Sequence, residues 1–332
     1  MRASVRVQIG LLVAIFLSVV AAPIKARELI LTEPAHTVSL MPVYLAIEKG
    51  YFKDEGIDLK LNLMSGSAFV DAVLTGQAFA FMGALDHNAY ANVRGKDLKA
   101  VSGIVGRPNT YFVARTDLLP VPSDLKAFVT GKRIAVAPFT QTPNNMLRYI
   151  LSRWGLDPGK DVTLIEVLNS VVPTTVKAKQ ADIGVTNEPN ISVGLKQGIW
   201  GEPFYVAAKD LGPYPDSVLT VTGDSIQKDP VLIKGMVKAV VRGLDYTNNH
   251  HDEVLAAAKA AFPTASEEEL QASLKRGFAD GIFSADGFIP QQAWETGEAV
   301  VQQGGKLKQH VPYEQIVDMQ FINVVKKELN LR

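Results

Sequence analysis

Residues 39–61 read SLMPVYLAIEKGYFKDEGIDLKL and describe one complete passage from helix to strand. Ser39 can cap a helix whose first turn tolerates Pro42, because a proline there lacks an N–H that has no partner anyway. Leu40, Val43, Tyr44 and Ile47 recur at helical spacing, giving one apolar face, and Gly50 supplies the stop. Tyr51 and Phe52 then wedge against a sheet, and Glu55-Gly56 turns the chain. Ile57, Leu59, Leu61 and Leu63 alternate with Asp58, Lys60 and Asn62, the period of a half-buried strand.

The same grammar extends on both sides. Glu28 to Thr32 forms a short apolar strand running into Glu33-Pro34-Ala35-His36-Thr37, which places that loop at the carboxyl end of a sheet, where open α/β sheets bind ligands. Ser65-Gly66-Ser67 opens a helix through Thr75, residues 78–83 read as a buried strand, and Asp86 caps a helix ending near Gly95. Strands are expected at 98–105 and 111–114. From Val121 a second lobe repeats the pattern: a strand at 133–137, a helix opened by Thr140-Gln141-Thr142-Pro143, a strand at 162–167, a helix at 170–180, a strand at 182–185, and a further helix started by Asn187-Glu188-Pro189. Residues 217–222 form a strand returning to the first lobe. Beyond Pro230 the periodicity is helical, with segments at 231–248, 253–261, 266–278, 291–302 and 313–329. The expectation is therefore an α/β chain with a cleft between two lobes: 27–118 and 215–332 in lobe one, 119–214 in lobe two.

With 332 residues, 47% of them hydrophobic and 20% charged, the chain is an ordinary globular protein, large enough for more than one lobe. Formal net charge is zero, so no basic stripe invites a nucleic acid. Arg2 and Arg6 precede an apolar run from Ile9 to Ala22 and a small residue at Ala26, the three-part layout of a cleaved secretory signal at residues 1–26. That run is shorter than the ~20 residues that span a bilayer. Loss of Arg2, Arg6 and Lys25 leaves about three net negative charges on the mature chain. The absence of cysteine excludes a lipid-anchored amino terminus, disulfides and thiolate metal sites, so a free periplasmic protein is expected.

The first helix, the Glu48-Lys49-Gly50-Tyr51-Phe52 hinge and the Glu55-Gly56-Ile57-Asp58 turn resemble the start of the solute-binding proteins of ABC importers, in the NMT1/THI5-like group that takes sulfonates, nitrate, taurine or thiamine-precursor pyrimidines. The resemblance implies a two-lobed periplasmic binding protein of type II, with a helical tail packed on lobe one and no cofactor or metal. It also implies a monomer that hands a small ligand to an inner-membrane permease and its ATPase. A ligand-sensing module is the alternative role. One enzymatic branch, the yeast-type pyrimidine synthases, carries a cysteine-rich motif that this chain lacks, and no enzyme is expected.

Candidate ligand groups follow from loop position. Gly66 with Ser65 and Ser67, and Gln141 with Thr140 and Thr142, sit at helix starts in opposite lobes, where free N–H groups and the helix dipole favour an anion; simple capping is the plainer reading of each. His36 and Ser39 flank the first ligand-side loop. Arg107 offers a bidentate grip on a carboxylate or sulfonate, or is a surface arginine. Asn187 and Glu188 follow a strand end, where an acid suits an amine or aminopyrimidine. Gly83 permits close backbone approach or tight packing. Trp154, Trp200 and Tyr214 read as core. These groups lean toward a small organic anion, with a pyrimidine as the alternative. No G-x-S-x-G turn, H-E-x-x-H helix or phosphate loop occurs, and His250-His251-Asp252 reads as a helix end.

Overall fold

The computed structural model describes residues 26–64, 66–139 and 141–331. The expected signal segment, apart from Ala26, and two candidate ligand residues, Ser65 and Thr140, lie outside the described residues.

Among the described residues ten strands form two five-stranded mixed sheets. The first contains β1 (Arg27–Glu33), β2 (Ile57–Leu63), β3 (Ala80–Gly83), β4 (Leu98–Val105) and, arriving from far along the chain, β10 (Ser217–Thr222). Its order is β2-β1-β3-β10-β4, with β1 parallel to β2 and β3, and β10 antiparallel to β3 and β4. The second sheet holds β5 (Tyr111–Ala114), β6 (Arg133–Val136), β7 (Thr163–Glu166), β8 (Ile183–Thr186) and β9 (Tyr205–Val206), in the order β7-β6-β8-β5-β9. Here β6 is parallel to β7 and β8, and β5 runs antiparallel to β8 and β9. Each sheet is three parallel strands, one antiparallel strand, then an edge.

The opening passage folds largely as its pattern requires. The helix Met41–Glu48 ends at Gly50, whose φ of 75° suits glycine, and Gly56 at φ 72° turns the chain into β2. Ser39 is a correction: it lies in a short 3-10 turn, Val38–Leu40, ahead of the helix and does not cap it. Met41 to Ala46 are buried against the long helix Pro230–Asn249. That contact depends on Gly243, where a Cβ would lie 2.1 Å from the Pro42 carbonyl oxygen.

Chain order misplaces one strand. Residues 111–114 fall within the stretch expected in lobe one, yet β5 hydrogen-bonds to β8 and β9, and Phe112 belongs to the second core. The first crossing is therefore 106–110, between the end of β4 and the start of β5, ahead of the lobe boundary expected after residue 118; the return crossing runs from β9 to β10 through a short helix, Ala207–Leu211. The tail also differs in detail. Residues 313–329 form two helices, Tyr313–Ile316 and Gln320–Glu328. Ile233, Val237, Leu270 and Leu274 join the first core, while Val300, on the helix Gln291–Gln303, packs into the second. The tail thus rests on both lobes. Trp154, Trp200 and Tyr214 pack in the second lobe's interior, and the Trp200 indole N–H donates to the Ile191 carbonyl. Among the described residues no helix is long and apolar enough to cross a membrane.

Candidate functional site

Between the sheets lies a cavity of about 1230 Å³, lined from both lobes. Its walls are the loops at the carboxyl ends of β1, β3, β6 and β8, as expected for parallel strands whose helices leave from that edge. Apolar groups dominate: Leu40, Phe69 and Met82 within, and Leu63, Phe139 and Leu168, all exposed, at the mouth. A cleft of this size and lining accommodates a small organic ligand.

The sequence-selected residues divide into two groups when placed here. His36, Ser39, Gly66, Ser67, Gly83, Gln141, Thr142, Asn187 and Glu188 all line the cavity. Arg107 does not: it is exposed outside the cavity, its guanidinium pointing toward the Ala208 carbonyl at 3.4 Å. It sits at the start of the crossing, just past the end of β4, on the outward side of the backbone.

Several lining groups already have partners. The His36 Nδ1 is 2.8 Å from Glu33 Oε1, its Nε2 is 3.1 Å from the Ala261 carbonyl, and the ring stacks on Tyr44 at 4.5 Å. The bond to Glu33 raises the imidazole's pKa above its ordinary value, partial burial opposes, and the Glu33 charge and the Ala261 carbonyl add to the rise. The Tyr44 hydroxyl holds the other Glu33 oxygen at 2.5 Å. Glu188 is more fully engaged: it accepts from the Ser192 N–H at 3.0 Å, the Ser192 hydroxyl at 2.8 Å, the Ser273 hydroxyl at 3.1 Å and Arg276 Nε at 2.9 Å. A carboxylate accepting four bonds is a structural tie, here joining the β8 loop to the helix Glu267–Ala279 of the other lobe. Asn187 accepts from Asn169, and the Ser67 hydroxyl donates to Asp71.

The helix Thr142–Arg153 presents a different end. Gln141 occupies its N-cap without a side-chain capping bond, and both Gln141 and Thr142 line the cavity. Little of that end is left open, since Pro143 has no N–H and the Asn144 and Asn145 N–H groups both donate to the Gln141 carbonyl at 3.0 Å. At Gly83 a Cβ would lie 2.9 Å from the Phe69 ring, so glycine serves both the packing and the cavity wall.

Sequence patterning missed the cavity's base. Asn109, Thr110, Asp216 and Ser217 line it from the two crossings. These run side by side, with the Tyr214 N–H donating to the Gly106 carbonyl at 2.9 Å and the Asp216 N–H to Val105 at 3.1 Å. Asn109 Oδ1, Thr110 Oγ1 and Ser217 Oγ are buried without a hydrogen-bond partner, a cost of roughly 1–3 kcal/mol each in a packed interior. Burial pushes the Asp216 carboxyl up to about 7, against a backbone N–H from Asn109 and with the Asp86 carboxylate adding to the rise. The part of Asp216 that the protein leaves uncovered faces the cavity, so water there moderates this effect. The only sequence signal for these residues was a polar pair beside each expected strand. Beside the base, Asp86 receives the Tyr90 hydroxyl and the Asn145 amide, each at 3.3 Å, and the Lys306 ammonium lies 4.0 Å above the Tyr90 ring.

Two sheets of this topology, joined by paired crossings around a walled cleft, define a two-lobed ligand-binding protein. The chain matches the NMT1/THI5-like family over residues 37–254 and belongs to it. It is 23% identical to YtlA of Bacillus subtilis (strain 168), over 95% of this chain and 96% of that one. Among solved structures it is similar to the alkanesulfonate-binding protein SsuA from Xanthomonas axonopodis pv. citri bound to MOPS, with TM-score 0.71, 13% identity, and 88% and 98% of the two chains covered. It is also similar to the desulfurization enzyme DSZB, with TM-score 0.64, 17% identity, and coverage of 91% and 99%. Likenesses at these identities establish the fold.

Proposed function

We propose that the protein is the substrate-binding component of an ABC importer, which captures a small organic anion of sulfonate or carboxylate type and presents it to a membrane permease with its ATPase. The observation that carries this is the cavity of about 1230 Å³, lined from both lobes, in a chain of the NMT1/THI5-like family. The Gly66-Ser67 turn and Gln141 with Thr142 are among the polar groups on the cavity wall that could meet the anionic end, and the apolar walls suit its carbon skeleton. The crossings at 106–110 and 207–216 act as the hinge. Closure is driven by differential affinity for the closed form, so ligand shifts an open-to-closed population. The basic, apolar leader at residues 1–26 supports export to the periplasm, where such a component works.

A thermal-shift screen of the chain from Arg27 onward tests this, using sulfonates, aromatic carboxylates, taurine, nitrate and aminopyrimidines. A ligand at ~100 times its dissociation constant adds about 2.7 kcal/mol, a clear rise in melting temperature. Hits among organic anions support the proposal; silence across the panel from folded, ligand-stripped protein defeats it. Because one fold hosts both binding proteins and an enzyme, each hit is also followed for turnover. Release of product would move the protein out of the transport class.

A further inference from the structure

The charges on the cavity wall are divided unevenly between the lobes. Lobe two contributes the amides of Gln141, Asn169 and Asn187 and the side chains of Phe139 and Leu168. Its one charged lining residue among those described, Glu188, is committed to Arg276. Lobe one contributes Arg94 and Lys306, brought near each other from distant stretches of the chain. Arg94 follows the helix Asp86–Asn92, and Lys306 lies in the turn after the helix Gln291–Gln303. Both backbones are anchored: the Arg94 N–H donates to the Ala91 carbonyl, the Lys306 and Leu307 N–H groups donate to the Val301 carbonyl, and Leu307 is buried with Leu85 and Tyr90.

Among the described residues neither cation has a counter-ion. The Arg94 Nε donates to the Tyr90 carbonyl at 3.0 Å, which leaves the two terminal nitrogens of the guanidinium unused, and the half-buried Lys306 ammonium stands 4.0 Å from the centre of the Tyr90 ring. Asp86 is the acid whose charge acts on Lys306, yet it forms no ion pair with it and receives the Tyr90 hydroxyl and the Asn145 amide instead. Burial holds the Lys306 pKa below its ordinary value, Asp86 opposes, and Arg94 adds to the fall. Asp216 stands apart, since the charge acting on it is that of Asp86 and not of either cation. Two neighbouring positive charges on one cavity wall, one of them half-buried, therefore lack the acceptor that would offset their desolvation.

Resting on the importer reading, we propose that Lys306 and Arg94 receive the ligand's anionic group, so that lobe one alone holds the charge and lobe two closes over the carbon skeleton with uncharged contacts. The free edge of the guanidinium and the ammonium both donate N–H groups, and an oxyanion placed between them makes charge-assisted bonds to each. An anion can then dock on lobe one of the open form before the lobes meet. Lys306 lies beyond residues 37–254, the stretch that matches the family, so part of the charge recognition is carried by the tail.

Titration calorimetry on the chain from Arg27 onward tests this with acids and their uncharged isosteres: benzenesulfonate against benzenesulfonamide, and 4-methylbenzoate against 4-methylbenzamide. The acid of each pair should bind at least ~10-fold more tightly, as a charge-assisted contact requires. Lys306→Met should remove most of that advantage, Lys306→Arg should restore it, and Lys306→Met combined with Arg94→Gln should bring each pair to near parity. Every other hit from the wider panel is titrated against the same variants. Unliganded Lys306→Met should melt close to the parent, since it gives up only the contact with the Tyr90 ring. Arg94→Gln, at an exposed position, should weaken the acids by a smaller factor and carries the test alone if Lys306→Met folds poorly. If the acids hold no advantage, if the advantage survives the double substitution, or if every hit binds the double variant as tightly as the parent, the inference fails while the importer reading stands. If Lys306→Met lowers the melting temperature and leaves the preference for acids intact, the lysine is structural and the inference fails likewise. If nothing in the panel binds, the importer reading fails and takes the inference with it.

Discussion

Two parts of the cleft hold carboxylates and use them in opposite ways. In the loops after β1 and β8, Glu33 and Glu188 are saturated, the first by His36 and Tyr44, the second by Ser192, Ser273 and Arg276. At the crossings, Asp216 lies beside unpartnered oxygens and faces the cavity. A charged residue in a ligand-side loop is therefore not automatically a ligand group. What distinguishes the two is whether the protein itself supplies the counter-charge.

The largest expected effect attacks the saturated side. Glu188→Ala strips Ser192, Ser273 and Arg276 of their shared acceptor and leaves Arg276 only the exposed Glu202, so urea unfolding should show a loss of about 3 kcal/mol. If Glu188 were instead a ligand anchor, stability would hardly change and affinity would collapse. Next is Asp182, a saturated carboxylate away from the cleft, whose pKa is lowered to about 2 chiefly by hydrogen bonding to the Arg133 side chain, with Arg115 contributing. Its folded pKa lies below its unfolded one, so its stabilisation is present above pH ~4 and is lost as pH falls toward 2. The amount is about 1–2 kcal/mol, moderated by the partial exposure of Arg133, and Asp182→Asn should flatten the unfolding curve in that window.

Asp216 carries the opposite sign. Its raised folded pKa means that stability falls as pH climbs from ~4 to about 7, with Asp86 and Tyr214 as the titratable groups facing it. Asp216→Asn should remove that slope from thermal melts of the unliganded protein. His36 contributes a loss of the same sign at higher pH, since its raised pKa stabilises fully below ~6.5 and the gain disappears through the folded value. A His36→Gln control separates the two. The smallest effect is Arg107→Ala: exposed and outside the cavity, it should change stability by no more than ~0.5 kcal/mol and leave ligand affinity unchanged. A drop in affinity there would return the anion anchor to the crossing.

Much of this architecture was legible in residue order. The β2, β4, β5 and β10 ranges and the Gly50 stop all follow from local periodicity and cap chemistry. Most loop candidates also line the cavity, because the carboxyl end of a parallel strand is a topological fact that sequence patterning reports. What residue order could not convey was partnership. Glu188 meets Arg276 and Ser273 only after the tail folds back, and β5 finds β8 and β9 only through a change of sheet. Asp216 and Thr110 were passed over for the same reason: neighbouring crossings create their shared environment, and no local motif marks it.

The strand exchange also governs how the molecule must be made. β10 sits between β3 and β4, with Val218 opposite Gly83, so the first sheet stays split into two pieces until most of the chain is present. Such distant pairings carry a large loop-closure cost and slow folding relative to local ones. The second sheet is complete within residues 111–206, whereas a chain cut before residue 217 lacks the strand that joins β3 to β4. During synthesis the early strands of the first sheet wait, unfinished, for a partner encoded more than a hundred residues downstream.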